Sequence, residues 1–195
     1  MSTTYEEFVN QVRNTILDQP VPPRYKPRKW RGKRFNCYAY AIQACMNLSG
    51  RDIWPGFICK GKENDYRDTK DCVVTYFKED CKVLGLQVLP TTVKEKIGAN
   101  EYKIAVYVKE GDDFHFARQD SNGKWSEKDG WNGNIRNFDE EDVDEYDEGY
   151  EFVGVFRVSK KVGWIFTLFF LFFFISKWIH IMYKQFGGKN EQKIC

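Results

Sequence analysis

The sequence predicts an α+β domain followed by a C-terminal transmembrane helix, and three observations lead there. Helix-like spacings of apolar residues fill the N-terminal part of the chain, strand signals take over after Gly85, and residues 162–175 are almost wholly apolar, a stretch that can be extended to Tyr183. Helices first, then an antiparallel sheet, is the α+β order. The boundaries that follow are an N-terminal helix and Pro-rich linker over residues 1–28, one domain over 29–159, a membrane tail anchor over 160–184 and a short polar tail over 185–195.

From Thr4 to Leu17, Phe8, Val9, Val12 and Ile16 recur at helical spacing, and the run stops before Pro20-Val21-Pro22-Pro23. The segment opening at Asn36 predicts a central buried helix, with Cys37, Ala41, Ala44, Cys45 and Leu48 on one face. A second amphipathic helix is predicted over Thr69 to Leu84, with Val73, Tyr76, Phe77 and Leu84 as its apolar stripe and Gly85 as its cap. Strands follow at Ile104 to Val108, Phe114 to Gln119, Lys124 to Lys128 and Tyr150 to Val158. Asp120-Ser121-Asn122-Gly123 is the hairpin turn between the second and third of these. Counting back from it sets residue 119 opposite 124, 117 opposite 126 and 115 opposite 128, which brings Glu127 near His115 and leaves Asp120 farther away.

Residues 162–183 would make about 33 Å of helix, enough to span a bilayer. Arg157, Lys160 and Lys161 precede the stretch, Lys177 can snorkel, and Trp164, Trp178 and Tyr183 sit where interfacial aromatics belong. With a short tail and no basic-then-apolar start of the signal-peptide kind, the expectation is a single-pass tail anchor holding the domain at the membrane on its cytosolic side.

The formal net charge of +2 conceals a basic stretch, Arg24 to Arg34, and an acidic run from Asp139 to Glu151. These can neutralise one another, and with no nucleic-acid-reading module no specific nucleic acid is expected as a partner. The six cysteines form no CxxC pair and only His115 and His180 could join them, so neither a metal nor another cofactor is expected and the thiols read as reduced.

The chemistry gathers at two segments. Cys37 follows Asn36 at a helix start, where the positive end of the helix favours a thiolate, and His115, the one histidine outside the apolar stretch, stands on a strand. Together they make a candidate nucleophile and base, with the Glu127 carboxylate as the group that orients the imidazole. Cys45, Cys59, Cys72 and Cys81 read as core residues, as cysteine usually does.

These residues resemble the NlpC-type, papain-like thiol hydrolases, in which a cysteine opens the central helix and a histidine sits on a following strand. His115-Phe116-Ala117-Arg118-Gln119-Asp120, Gly123-Lys124-Trp125-Ser126-Glu127-Lys128 and Gly130 are similar to a hairpin pattern of uncharacterised members of that superfamily, except that a histidine there stands where this chain has Glu127. The resemblance implies a papain-like domain over 29–159, a peptide or amide substrate, and Tyr25, Asn36 and Asp120 as oxyanion or supporting candidates. Two other functions fit the same residues: thiol acyl transfer or lipid hydrolysis at the membrane, and a catalytically inactive, membrane-anchored adaptor.

Overall fold

In a computed structural model the chain is described for residues 4–26, 35–46, 53–61, 69–130, 133–146 and 149–161. The basic stretch from residue 27 onward and the apolar stretch 162–183 lie outside the described residues. Among the described residues no helix is long and apolar enough to cross a membrane.

The core of the molecule is one six-stranded antiparallel sheet, and this corrects the predicted fold class. The strands are β1 (Leu86–Thr91), β2 (Glu101–Lys109), β3 (Asp113–Gln119), β4 (Trp125–Lys128), β5 (Ile135–Phe138) and β6 (Glu151–Lys160), in the spatial order β1-β6-β2-β3-β4-β5. Among the described residues the helices are few and mostly short: α1 (Tyr5–Leu17), α2 (Cys37–Ala41), α3 (Phe57–Lys60), α4 (Lys70–Val83) and a 3-10 turn at Glu140–Asp142. The papain-like arrangement, with N-terminal helices and Cys37 on a central helix ahead of the sheet, is not what these elements form, and the predicted transmembrane helix lies outside the described residues.

Two local causes account for the difference. The helix after Asn36 ends after five residues in a Schellman motif: Gln43 takes the left-handed conformation (φ 65°), its N–H reaches Tyr40 O (3.1 Å) and the Ala44 N–H reaches Ala39 O (2.8 Å). Glycine or asparagine usually announces such an ending, and here a glutamine makes it. The sheet is also wider than the alternation suggests, because β1 and β5 flank it. Both are edge strands, where Pro90 in β1 and Arg136-Asn137 in β5 are tolerated.

The two sheet faces bury different sets of side chains. Tyr102, Ile104, Val106, Phe116, Phe156 and Val158 meet Val12 and Ile16 of α1, Val73, Phe77 and Cys81 of α4 and all of α2 in the main core. A capping box fixes the start of α1, with Thr4 Oγ1 accepting from Glu7 N (3.2 Å) and Glu7 Oε2 accepting from Thr4 N (2.8 Å). The opposite face carries a smaller cluster of Ala105, Tyr107, Ala117, Trp125, Val143 and Val155. A bulge in β6 decides what joins it. Val106 pairs with Gly154 but Tyr107 pairs with Phe152, so Val153 is skipped and Phe152 turns to the Tyr107 side.

Candidate active site

The hairpin of β3 and β4 places the first two site residues. Its turn closes through Asp120 N to Lys124 O (2.9 Å) and Gly123 N to Asp120 O (2.9 Å), with Gly123 left-handed at φ 82°. The loop between the closing pair is therefore three residues, so Ala117 faces Glu127, Arg118 faces Ser126 and Gln119 faces Trp125. The expected register is off by one, which matters because strand neighbours alternate sides. Glu127 shares the face of Ala117 and hence of His115, while Ser126 and Arg118 point the other way.

His115 and Glu127 are a buried pair, 5% and 2% exposed, with Nε2 2.7 Å from Glu127 Oε2. Cys37, 4% exposed, reaches them from the other side of the sheet. It can do so because β4 pairs with β3 only from Ala117 to Gln119, which leaves β3 open at Phe114 and His115, and Cys37 Sγ approaches there to 3.9 Å from Phe114 O. Glu127 takes Nε2 of the ring, and the sulfur is close enough to the imidazole to bear on its protonation. The three residues singled out in the sequence thus stand together, in the order sulfur, imidazole, carboxylate.

Their electrostatics are set by one another. Burial alone would depress the imidazolium, but the charge and hydrogen bond of Cys37, and then those of Glu127, raise the His115 pKa to about 10. Burial likewise works against the Glu127 carboxylate, and hydrogen bonds and charge from His115 and Arg136 hold it below the ordinary range. Both shifts run in the direction of an imidazolium beside a carboxylate.

A helix of five residues has too little length to hold a nucleophile in place, and side chains clamp it instead. The Asn36 side chain accepts from Ala39 N (2.9 Å) and donates to Ile53 O (2.8 Å). Tyr38 donates to Asp80 Oδ2 (3.0 Å), and Tyr40 shares a hydrogen bond with Ser126 (2.8 Å). Arg118 stacks on Tyr40, gives Nη1 to Tyr40 O (2.8 Å) and Nε to Asp120 Oδ1 (3.1 Å), and Ser126 closes the network on Asp120 Oδ2.

The supporting candidates accordingly divide. Asn36 positions Cys37, with both ends of its amide used on backbone groups. Asp120 stands on the far face, buried with Arg118 and Ser126, away from the imidazole. Tyr25 packs against the main core, and among the described residues no hydrogen bond or ring contact joins it to Cys37, His115 or Glu127. Arg136 and Tyr146 are neighbours that sequence reasoning missed: Arg136, opposite Glu127 on β5, binds Glu127 Oε1 through Nε, and the Tyr146 ring lies on His115 at 4.7 Å and 15°. The one hint for Tyr146 is an aromatic residue inside the acidic run. Among the described residues no group of three His, Cys, Asp or Glu side chains is arranged to hold a metal ion.

Comparison with curated proteins and with solved structures returns no match. A family model does match, the Domain of unknown function (DUF7689), over residues 29–157, which include β1 to β4, β5 and all three members of the buried group. The chain belongs to that family.

Proposed function

We propose that the chain is a thiol hydrolase acting on an amide bond. The observation that supports it is the buried His115 imidazolium held between the Cys37 sulfur and the Glu127 carboxylate. In this reading the Cys37 thiolate attacks the amide carbon and forms a C–S bond. The tetrahedral intermediate collapses, the C–N bond breaks, and His115 gives its proton to the departing amine. Neutral His115 then takes a proton from water as the water attacks the thioester, and the thiolate leaves. Glu127 stabilises the imidazolium at each stage and fixes its tautomer.

Reaction with iodoacetamide tests the nucleophile directly. Burial, and then Asp80, push the Cys59 and Cys81 thiols up, so those two are poor competitors at neutral pH. Peptide mapping after brief treatment at pH 6 is expected to find Cys37 modified ahead of Cys59, Cys72 and Cys81. Equal or slower modification of Cys37 would remove the case for an enzyme and leave the adaptor reading. Burial of Cys37 and His115 also favours a second reading, acyl transfer to an acceptor other than water, since a dry site disfavours hydrolysis. Release of the acyl group to an added amine faster than to water distinguishes it.

Glu127 acts through His115, so its loss should hurt less than loss of either partner. Glu127→Ala is expected to lower turnover roughly tenfold to a hundredfold, and Glu127→His to retain or raise it. An unchanged rate in Glu127→Ala would exclude the orienting role.

We also propose that residues 162–183 attach the protein to a membrane. Alkaline carbonate extraction is expected to leave the full chain in the pellet, whereas a chain ending at Ser159 is released. Full-length protein in the supernatant would count against attachment.

A further inference from the structure

Three side chains around the proposed site take no part in the chemistry of the triad, and two of them, Tyr146 and Tyr150, join it to the edge of the smaller core cluster. Arg136 is one. Its side chain is 59% exposed, yet its Nε binds Glu127, whose side chain is 3% exposed, and the same guanidinium hydrogen-bonds Tyr146. Tyr146 is the second: its ring lies flat on His115 (4.7 Å, 15°) and tilted on Tyr107 (4.5 Å, 30°). Tyr150 is the third, edge-on to Tyr146 at 5.3 Å, with its hydroxyl on Asp113 Oδ2 at 2.6 Å. Tyr150 is also edge-on to the His115 ring at 6.5 Å, so both tyrosine rings stand at the imidazole.

The segment carrying Tyr146 is anchored a turn earlier. Val143 is fully buried in the smaller cluster and its carbonyl accepts from Tyr107 Oη (2.7 Å), whereas Asp144 and Glu145 are exposed. Beyond Val143, Tyr146 is held by ring contacts and by Arg136. With Cys37 4% and His115 5% exposed, an amide carbon reaches Sγ only if part of this cover moves.

We propose that Arg136 is a positioning residue that holds Glu127 against His115 and Tyr146 across the site in one arrangement, so that the reacting groups are aligned and covered together. The inference rests on the thiol-hydrolase reading and adds the element that governs access to it. Substrate displaces the Tyr146 ring and its hydroxyl leaves Arg136. The guanidinium keeps its bond to Glu127, so alignment survives opening. The groups that face the imidazole are Cys37 from α2, Glu127 from β4, Tyr107 from β2, and Tyr146 and Tyr150 from the segment before β6. Arg136 acts on it only through Glu127 and Tyr146.

Two readouts on the full-length protein test this without a substrate. The first is the NMR titration midpoint of His115, separated from His180 by a His180→Gln control. The second is the rate of Cys37 modification by bulky N-ethylmaleimide relative to small iodoacetamide, followed by peptide mapping. Arg136→Met keeps the aliphatic stem and removes both hydrogen bonds. It is expected to lower the midpoint by about one pH unit and to raise the maleimide-to-iodoacetamide ratio about tenfold. Arg136→Lys, which keeps the charge, restores most of the midpoint. Tyr146→Phe deletes only the hydroxyl and should raise the ratio while leaving the midpoint in place; should Arg136→Met fail to fold, this variant carries the test. If wild-type His115 titrates near its ordinary value, the thiol-hydrolase reading falls. If the wild-type midpoint is high and neither Arg136→Met nor Tyr146→Phe changes midpoint or ratio, the inference about Arg136 falls and that reading stands.

Discussion

Cys37→Ala and His115→Ala should each reduce turnover of an activated amide or thioester by about ten-thousandfold or more, and the double variant should be no slower than either alone. The reasoning is geometric. In the proposed mechanism sulfur and imidazole act as one unit, so removing either removes the nucleophile or the group that activates it. Neither change should unfold the protein, because alanine at residue 37 leaves the clamp of Asn36, Tyr38 and Tyr40 intact, and loss of the imidazole leaves Glu127 bound to Arg136. Circular dichroism and the melting temperature check this alongside the rates. Turnover that persists in Cys37→Ser would eliminate Cys37 as the nucleophile. Additive losses in the double variant would show that the two residues do not work together.

The largest effect on stability should come from Asp80, which has no part in the chemistry. It is fully buried on α4 and accepts from Gly56 N (2.8 Å), Cys59 N (2.7 Å) and Tyr38 Oη (3.0 Å), so one carboxylate ties α3, α4 and the Cys37 segment together. Asp80→Ala strands three donors in the interior and is expected to cost about 3–5 kcal/mol, a fall of roughly 10 °C or more in Tm for a domain of this size. A loss below 1 kcal/mol in denaturant unfolding would contradict the clamp. The dependence on pH follows chiefly from three groups. Burial raises Asp80 to about 6, against hydrogen bonds that favour its charged form, so its contribution is complete below its ordinary 3.8 and fades as pH rises through 6. His115, raised to about 10 by Cys37 and Glu127 against burial, contributes fully below 6.5 and loses that contribution as pH rises through 10. Glu127, held low, contributes above its ordinary 4.5 and loses it as pH falls below. Together with Asp120, which burial also raises, they place maximum stability at about pH 4 and a decline towards alkaline pH. Asp80→Asn should flatten the slope between pH 4 and 7, and a profile as steep as wild type would refute the assignment.

How much of this was readable in the residues depends on what kind of signal each one carries. The stripe Phe8, Val9, Val12 and Ile16 announces itself because burial of one helix face imposes a period, and the four inner strands do so as apolar or alternating runs bounded by turn residues. Cys37 and His115 stood out by position and scarcity, and the hairpin supplied Glu127 even though its register was miscounted by one residue. Edge strands β1 and β5 have no such period, since one of their sides pairs with nothing. The end of α2 was hidden for a different reason: Gln43 takes a left-handed conformation that its side chain does not advertise, held by the Arg118 bond to the carbonyl of Tyr40. Asp80 lies outside the predicted apolar stripe of its helix, and the donors that make its burial tolerable come from residues 21 to 42 positions away. Arg136 and Tyr146 matter only through contacts across the sheet, which no local pattern encodes.

The alternation of β3 and β4 has a consequence for how such a chain can evolve. Along the same two strands, His115 and Glu127 face one side while Arg118 and Ser126, with Asp120 at the turn, face the other, so chemistry and scaffold are interleaved residue by residue yet share no hydrogen bond. The scaffold side secures the Cys37 segment whatever the opposite side carries. Loss of Glu127 alone leaves His115 buried without its carboxylate partner, whereas replacement of both by apolar residues of similar volume costs little. Descendants of this sequence are therefore expected to exchange the pair together, and to lose or replace their reaction while keeping Tyr40, Arg118, Asp120 and Ser126. The two sides of one hairpin can diverge at different rates.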